Sequence, residues 1–247
     1  MMSNRGTGAG GANTNKNGKA FEETTSHLPY LLANHKNGMK HTIPGKKGKY
    51  DSFYEWPMKD KGKVTYLSQG GLKSYFAWKF GIEMIRHPDE AYLIRRGGHY
   101  VLRVLEKKNQ NVEGSVDTKL LAGPMIQEEY AMCVQSTDTL MRSLSVLGVQ
   151  EKQQEEQKEC KEQEFKEQKE CKEQECKEEQ KEQKDDKGFE SLRIEYAFCL
   201  SNFLKESYCS DGKKWVLLRA INEKYGIRVF FGEDEDYHER LQAWIES

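Results

Sequence analysis

The sequence predicts an α/β fold: a mixed central β-sheet flanked by helices and interrupted by a long, charged, low-complexity insert. Three observations lead there. Residues 88–110 read as a β-hairpin, because 92–94 and 100–105 are rich in aromatic and branched residues and a Gly97-Gly98 pair separates them. Beyond the hairpin, strand and helix patterns alternate, and a strand feeding a helix that returns across the sheet makes a crossover to a parallel neighbour. The third observation is the tract 151–187, which holds only Phe165 and three cysteines from the apolar set and is otherwise Glu, Gln, Lys and Asp. Such a composition cannot build a core. Residues 1–150 and 188–247 are therefore expected to supply two parts of one core, with 151–187 inserted between them.

Along the chain, residues 1–18 are mostly Gly, Asn, Ser and Thr, and the first ten or so are expected to be mobile. Asn17-Gly18 then starts a helix whose apolar face carries Phe21, Leu28, Leu31 and Leu32, with a kink at Pro29. Residues 35–49 read as a loop of lysines and histidines among glycines, a candidate DNA-clasping arm through Lys36, Lys40, Lys46, Lys47 and Lys49. His35, Asn37 and His41 add groups able to reach base edges, and an ordinary solvated loop is the alternative. Tyr50, Phe53, Tyr54 and Trp56 point to packing rather than base stacking.

A short strand over 64–67 precedes a helix running to Phe80, with Leu72, Tyr75, Phe76, Lys79 and Phe80 at helical spacing. Past the hairpin, Ser115 can cap a helix with Asp117 in its first turn. That helix resumes after Pro124 over 125–134, and a further apolar segment ends near Leu147. Within the insert, the run 158–164 recurs at 169–175. This eleven-residue period puts Cys160 and Cys171 on one helix face, without an apolar seam wide enough for a coiled coil. A solvated helix and disorder both fit, and self-association through the repeat is a third reading. Residues 192–200 and 227–231 are strands, 213–225 a helix closed by Gly226, and 237–245 a last helix. The acidic run 233–236 reads as surface charge before that helix, with metal binding the lesser alternative.

Composition bounds the function. A hydrophobic fraction of 36% is low while the aromatic fraction of 11% is healthy, so the apolar residues are concentrated outside the insert. Net charge is −1, but the average hides an asymmetry: residues 1–120 hold twenty Lys and Arg against eleven Asp and Glu. That is an electrostatic footprint for a phosphate backbone, with scattered surface lysine as the plainer account. The six cysteines lack zinc-site spacing and read as reduced thiols. No apolar run suggests a signal peptide or membrane span, so an intracellular, soluble protein is expected.

The chemistry concentrates in the hairpin. Side chains alternate along a strand, so Leu102, Val104, Glu106, Lys108 and Gln110 share a face, and the polar residues continue where the pattern asks for core. Asp89, at the start of one strand, and Glu106, at the end of its neighbour, can converge at one sheet edge. Two hard carboxylates side by side suit Mg²⁺. Lys108, roughly 7 Å beyond Glu106 at the strand rise, can hold an attacking water or steady phosphate charge. An ordinary charged strand end, with Asp89 as turn chemistry after Pro88, is the plainer reading.

Pro88-Asp89, sixteen residues, then Glu106-Lys107-Lys108 resembles the PD-(D/E)XK nuclease superfamily, which includes most type II restriction endonucleases, and Gln110 extends the likeness to the E-x-K-x-Q variant. The flanking words 11–22 and 106–120 look similar to small restriction enzymes of viral and bacterial origin. The resemblance implies a restriction-endonuclease-like core that hydrolyses phosphodiester bonds to leave 5′-phosphates. Asp89 and Glu106 would bind Mg²⁺, Lys108 would position the water, and Gln110 would orient the lysine or that water. It also implies that an acid on the first core helix, here Glu22, stands near the metal; Glu22 and Glu23 as first-turn carboxylates on a helix dipole are the alternative. Asn109 and Lys119, in the second flanking word, join the lysines of 35–49 as DNA-binding residues. Double-stranded DNA is the expected partner, and cutting both strands favours a homodimer. A repair or junction nuclease of the same fold, and a non-catalytic DNA-binding or scaffold protein assembled through the charged repeat, remain alternatives.

Overall fold

The computed structural model describes residues 11–45, 50–60, 62–110, 116–135 and 191–247. Seven strands form one sheet in sequence order: β1 (Met39–Pro44), β2 (Tyr50–Pro57), β3 (Lys63–Ser68), β4 (Glu90–Arg96), β5 (His99–Lys108), β6 (Ser191–Leu200) and β7 (Arg228–Phe231). The first five are antiparallel to their neighbours, whereas β6 and β7 run parallel to β5. The expected mixed sheet is present. Gly97, at φ 62°, makes the turn between β4 and β5, a backbone conformation that a Cβ disfavours.

Helices α1 (Gly11–Thr24), α2 (Leu28–Asn34), α3 (Gly71–Phe80), α4 (Val116–Leu121), α5 (123–135), α6 (Asn202–Tyr208), α7 (Lys213–Lys224) and α8 (Tyr237–Glu246) cover the sheet. Alternation along the strands sends side chains into two cores. One gathers Leu102 and Val104 of β5 with Tyr75 and Phe76 of α3, Leu120 of α4, Tyr130 of α5 and Leu218 of α7. The other gathers Leu105 and Tyr92 with Phe21 of α1, Leu31 of α2 and Trp244 of α8. β5 is thus buried on both faces at the centre of the fold.

The hairpin, the strands at 64–67, 192–200 and 227–231, and the helices over 71–80, 213–224 and 237–246 lie where the sequence places them. Several expectations are corrected. Helix α1 begins at Gly11 rather than at Asn17-Gly18, and the chain breaks at 25–27 instead of kinking at Pro29. Pro29 opens α2 in its first turn, where a missing N–H costs nothing. The supposed loop 35–49 contains β1, which alternation could have shown, since Ile43 is buried while Lys40 and Thr42 face out. Lysine and a terminal proline are what edge strands carry, so the composition that suggested a loop belongs to the sheet's border. The aromatic run 50–56 is β2, with Phe53 and Trp56 buried, as packing required. Helix α6 was not foreseen. The expected first-ten mobility, the Ser115 cap, the apolar segment near Leu147 and the whole insert 151–187 fall outside the described residues.

Candidate active site

β5 carries Glu106 and Lys108 at its C-terminal end, on the face shared with Leu102 and Val104. Asp89 immediately precedes β4, and because Glu90 pairs with Leu105, the register sets Asp89 beside Glu106 at the same sheet edge. Its carboxylate is fixed: Asp89 Oδ2 accepts the Lys107 backbone N–H at 2.6 Å. Burial, and then the charge of Glu106, raise the Asp89 carboxyl above its ordinary value, only partly offset by that N–H and by Lys108 and Lys107. Two carboxylates therefore repel one another in a half-covered place. Lys108 answers one of them, its Nζ donating to Glu106 Oε1 at 2.5 Å.

Glu22 joins them from the other side of the chain. It lies in the last turn of α1, not the first, so the helix-dipole alternative is overturned: a carboxylate there faces the negative end of the dipole. Burial of its carboxyl and the charge of Asp89 raise Glu22, while Lys107 and Lys108 lower it, which puts it within electrostatic reach of the pair. Gln110 is placed differently from the other four. Its backbone N–H meets Ser201 Oγ at 3.4 Å, the Ser201 N–H donates to Lys108 O at 3.1 Å, and Gln110 lines a cleft of about 430 Å³ with Asp117, Phe203 and Trp215.

Two tyrosines were missed. Tyr130 on α5 and Tyr196 on β6 are both buried, and each hydroxyl is raised first by that burial and next by the Glu106 charge, with Asp89 acting in the same direction. Among the described residues, Tyr196 Oη has no hydrogen-bond partner. Strand register was the available signal: Val104 pairs with Tyr196 and Glu106 with Phe198, so Tyr196 shares the carboxylate face.

The opposite face holds the larger surprise. Lys107 and Glu90 form an ion pair at 3.0 Å with side chains 2% and 3% exposed. Glu90 also accepts Tyr92 Oη at 2.6 Å, Tyr66 Oη at 3.4 Å and the His27 N–H at 3.1 Å, while Lys107 Nζ donates to Glu22 O at 3.0 Å. Lys107 thus holds Asp89 with its backbone and the end of α1 with its side chain. A central strand covered by helices on both faces makes its odd-numbered charges buried ones, which the pattern of one face could not reveal.

His27 extends this network: Nδ1 stands 3.1 Å from His238 Nδ1, and Nε2 3.1 Å from Gln242 Oε1. Burial pushes His27 down to about 4 and lowers His238 as well, against the opposing charge of Glu90. Below the ordinary histidine value near 6.5 the unfolded chain takes up protons that the folded chain refuses, so stability falls with acid. Between pH 6.5 and 5 the expected slope is about 1 kcal/mol per pH unit for His27 alone. Urea unfolding at those two pH values checks this, and His27→Gln should flatten the slope.

Of the expected DNA-binding residues, Lys36, Lys40 and Lys119 are exposed and Asn109 is half-buried, whereas Lys46, Lys47 and Lys49 fall outside the described residues. Lys40 is in β1 and Lys36 just before it, four strands and roughly 19 Å from β5 at sheet spacing. Among the described residues no three or more His, Cys, Asp or Glu gather in a metal-binding group. The acidic run 233–236 is engaged by protein groups, Asp234 with Lys205 and Arg240, and Glu233 with the Asn202 N–H. No described helix is long and apolar enough to cross a membrane. Comparison with known protein families, with curated proteins and with solved structures finds no match.

Proposed function

We propose that the chain is a Mg²⁺-dependent DNA endonuclease with a restriction-endonuclease-like core, and that double-stranded DNA cut at a short specific site is its substrate. One observation carries this reading: Asp89 and Glu106 stand side by side at the edge of adjacent strands, with Lys108 on Glu106. The sheet is compatible with it: strands β1 to β5 are antiparallel to one another in sequence order, and β6 then joins β5 in parallel.

The donor set fits a hard divalent cation. Asp89 is held in place and raised by burial and then by its neighbour's charge, and a pair of oxygen ligands in mutual repulsion is what such a cation relieves. Asp89 and Glu106 would hold the Mg²⁺, and the bound ion would supply Lewis-acid polarisation of the scissile phosphate and a more acidic water. The chain's own groups do the rest. Lys108 Nζ, which pairs with Glu106, would donate to the attacking water or to a phosphate oxygen and stabilise charge that develops there. Lys107 fixes Asp89 through its N–H, and Glu22 adds an acceptor for a water bound beside the pair. Asn109 directly follows β5 and, with Lys119 on α4, would meet one stretch of the backbone; Lys36 and Lys40 would engage a more distant stretch of the duplex. A two-fold dimer would present two such sites to opposite strands.

Incubation of the full chain with unmethylated plasmid and phage DNA, with Mg²⁺ or with EDTA, tests the reading. Discrete fragments that require Mg²⁺ are expected. A Mg²⁺-dependent smear would point to a repair or degradative nuclease, and a folded chain that binds DNA without cutting any would favour a non-catalytic binding role.

A further inference from the structure

The cleft beyond the end of β5 is a second place where the fold gathers polar and aromatic groups. Its volume is about 430 Å³, and it is lined by Gln110, Asp117 of α4, Phe203 and Ser207 of α6, and Lys214 and Trp215 of α7. That size falls within the range of small-ligand sites, about 300–1,000 Å³. Its wall is tied to the strand that bears the carboxylates. Ser201 Oγ accepts from the Gln110 N–H and donates to Gln110 O, both at 3.4 Å, and the Ser201 N–H donates to Lys108 O at 3.1 Å. Gln110 is two residues past Lys108, so at most about 7 Å of chain separates them.

The aromatic lining is open to solvent: Phe203 is 36% exposed and Trp215 half-buried. Trp215 packs against the core, while Lys214 Nζ stands over its ring, 4.9 Å from the centre. Lys214 Nζ also meets Asp117 Oδ2 at 3.1 Å. These two are the only charged residues among the described lining ones, and each answers the other, so the cleft brings no surplus cation for a free anion. A lysine over an indole marks an electron-rich ring face that a flat group can take once the flexible, mostly exposed Lys214 side chain swings outward.

A ligand suited to such a place is flat, stacks on indole, and carries donors and acceptors around its edge for an amide, a hydroxyl and a carboxylate. A nucleobase has all of these, and enzymes that take a base out of the stack hold it by aromatic stacking and edge hydrogen bonds. We propose that the cleft receives one nucleobase turned out of the DNA duplex beside the scissile phosphate, stacked on Trp215 with Phe203 as a side wall, and read at its edge by Gln110, Ser207 and Asp117. Lys214, displaced from the ring, meets the sugar-phosphate backbone of the same nucleotide. The source of the base rests on the nuclease reading, and the chemistry of the cleft does not.

Fluorescence anisotropy of the full chain without divalent cation tests this with labelled duplexes of one sequence: fully paired, with one unpaired thymidine, and with an abasic residue in place of that thymidine. Thymidine 5′-monophosphate is titrated as competitor. The duplex with unpaired thymidine is expected to bind about tenfold tighter than the abasic one. Trp215→Ala should erase that preference and leave affinity for the abasic duplex unchanged, whereas Trp215→Phe should keep part of it. Phe203→Ala, at an exposed position, should reduce the preference without disturbing the core. Equal affinity for the thymidine and abasic duplexes, or a preference that survives both alanine variants, would overturn the proposal. Monophosphate that competes with an affinity equal to that of the thymidine duplex would also overturn it, making a free nucleotide the occupant. Mg²⁺-dependent plasmid cleavage is scored separately, so cleavage without base preference would remove the cleft assignment alone, and base preference without cleavage would remove the nuclease reading alone.

Discussion

Glu106→Ala and Lys108→Ala are expected to abolish Mg²⁺-dependent cleavage, with rates down by roughly 100- to 1,000-fold or more, while the chain stays folded. Both side chains keep solvent contact, at 25% and 19% exposure, so truncating them opens little cavity. Asp89→Asn should fall as far, because it removes a ligand charge while keeping an oxygen for the Lys107 N–H. Lys108→Arg is the sharper probe. If lysine acts as a compact point charge toward one water, the wider guanidinium restores the Glu106 pair without restoring the rate. Single-turnover cleavage beside a thermal melt separates these outcomes, and full activity in Glu106→Ala would remove the carboxylate pair from the chemistry.

The second large effect is on folding. Lys107→Met should destabilise the protein by about 3–5 kcal/mol, since it strands Glu90 as a buried charge with only neutral donors around it. Pairing it with Glu90→Leu should recover much of that loss, because the second change removes the stranded charge. Urea unfolding of the two single variants and the double variant gives the coupling directly. Cleavage should not recover with stability in the double variant, as Lys107 also ties Glu22 to the strand that bears the site. A double variant with restored rate would mean that the pair serves stability alone.

The hairpin and its polar end were legible because Gly97-Gly98, the branched runs beside it and the misplaced Glu106 and Lys108 are all local signals. Glu22 was legible only through a resemblance, and its position at the end of α1 rather than the start depended on a helix that opens in glycine and asparagine, poor helix formers by propensity. Lys107 and Glu90 were invisible for a different reason. Whether a charge on a strand is buried depends on what covers each face, and the covering groups, Tyr66, His27 and α8, come from distant parts of the chain. β1 was hidden by Lys40 and by the lysines in the sequence on either side of it, which mark an edge strand as readily as a loop.

The parallel junction of β5 with β6 joins residues 92 positions apart, as in the contact of Arg103 with Glu195, whereas β1 to β5 form a continuous meander of neighbours. Order of assembly follows from that contrast. The meander brings together strands close in sequence and can form early, while β6 must be captured from a part of the chain far from β5 in sequence. Since β6 supplies Tyr196, the carboxylate face is complete only once β6 has paired with β5.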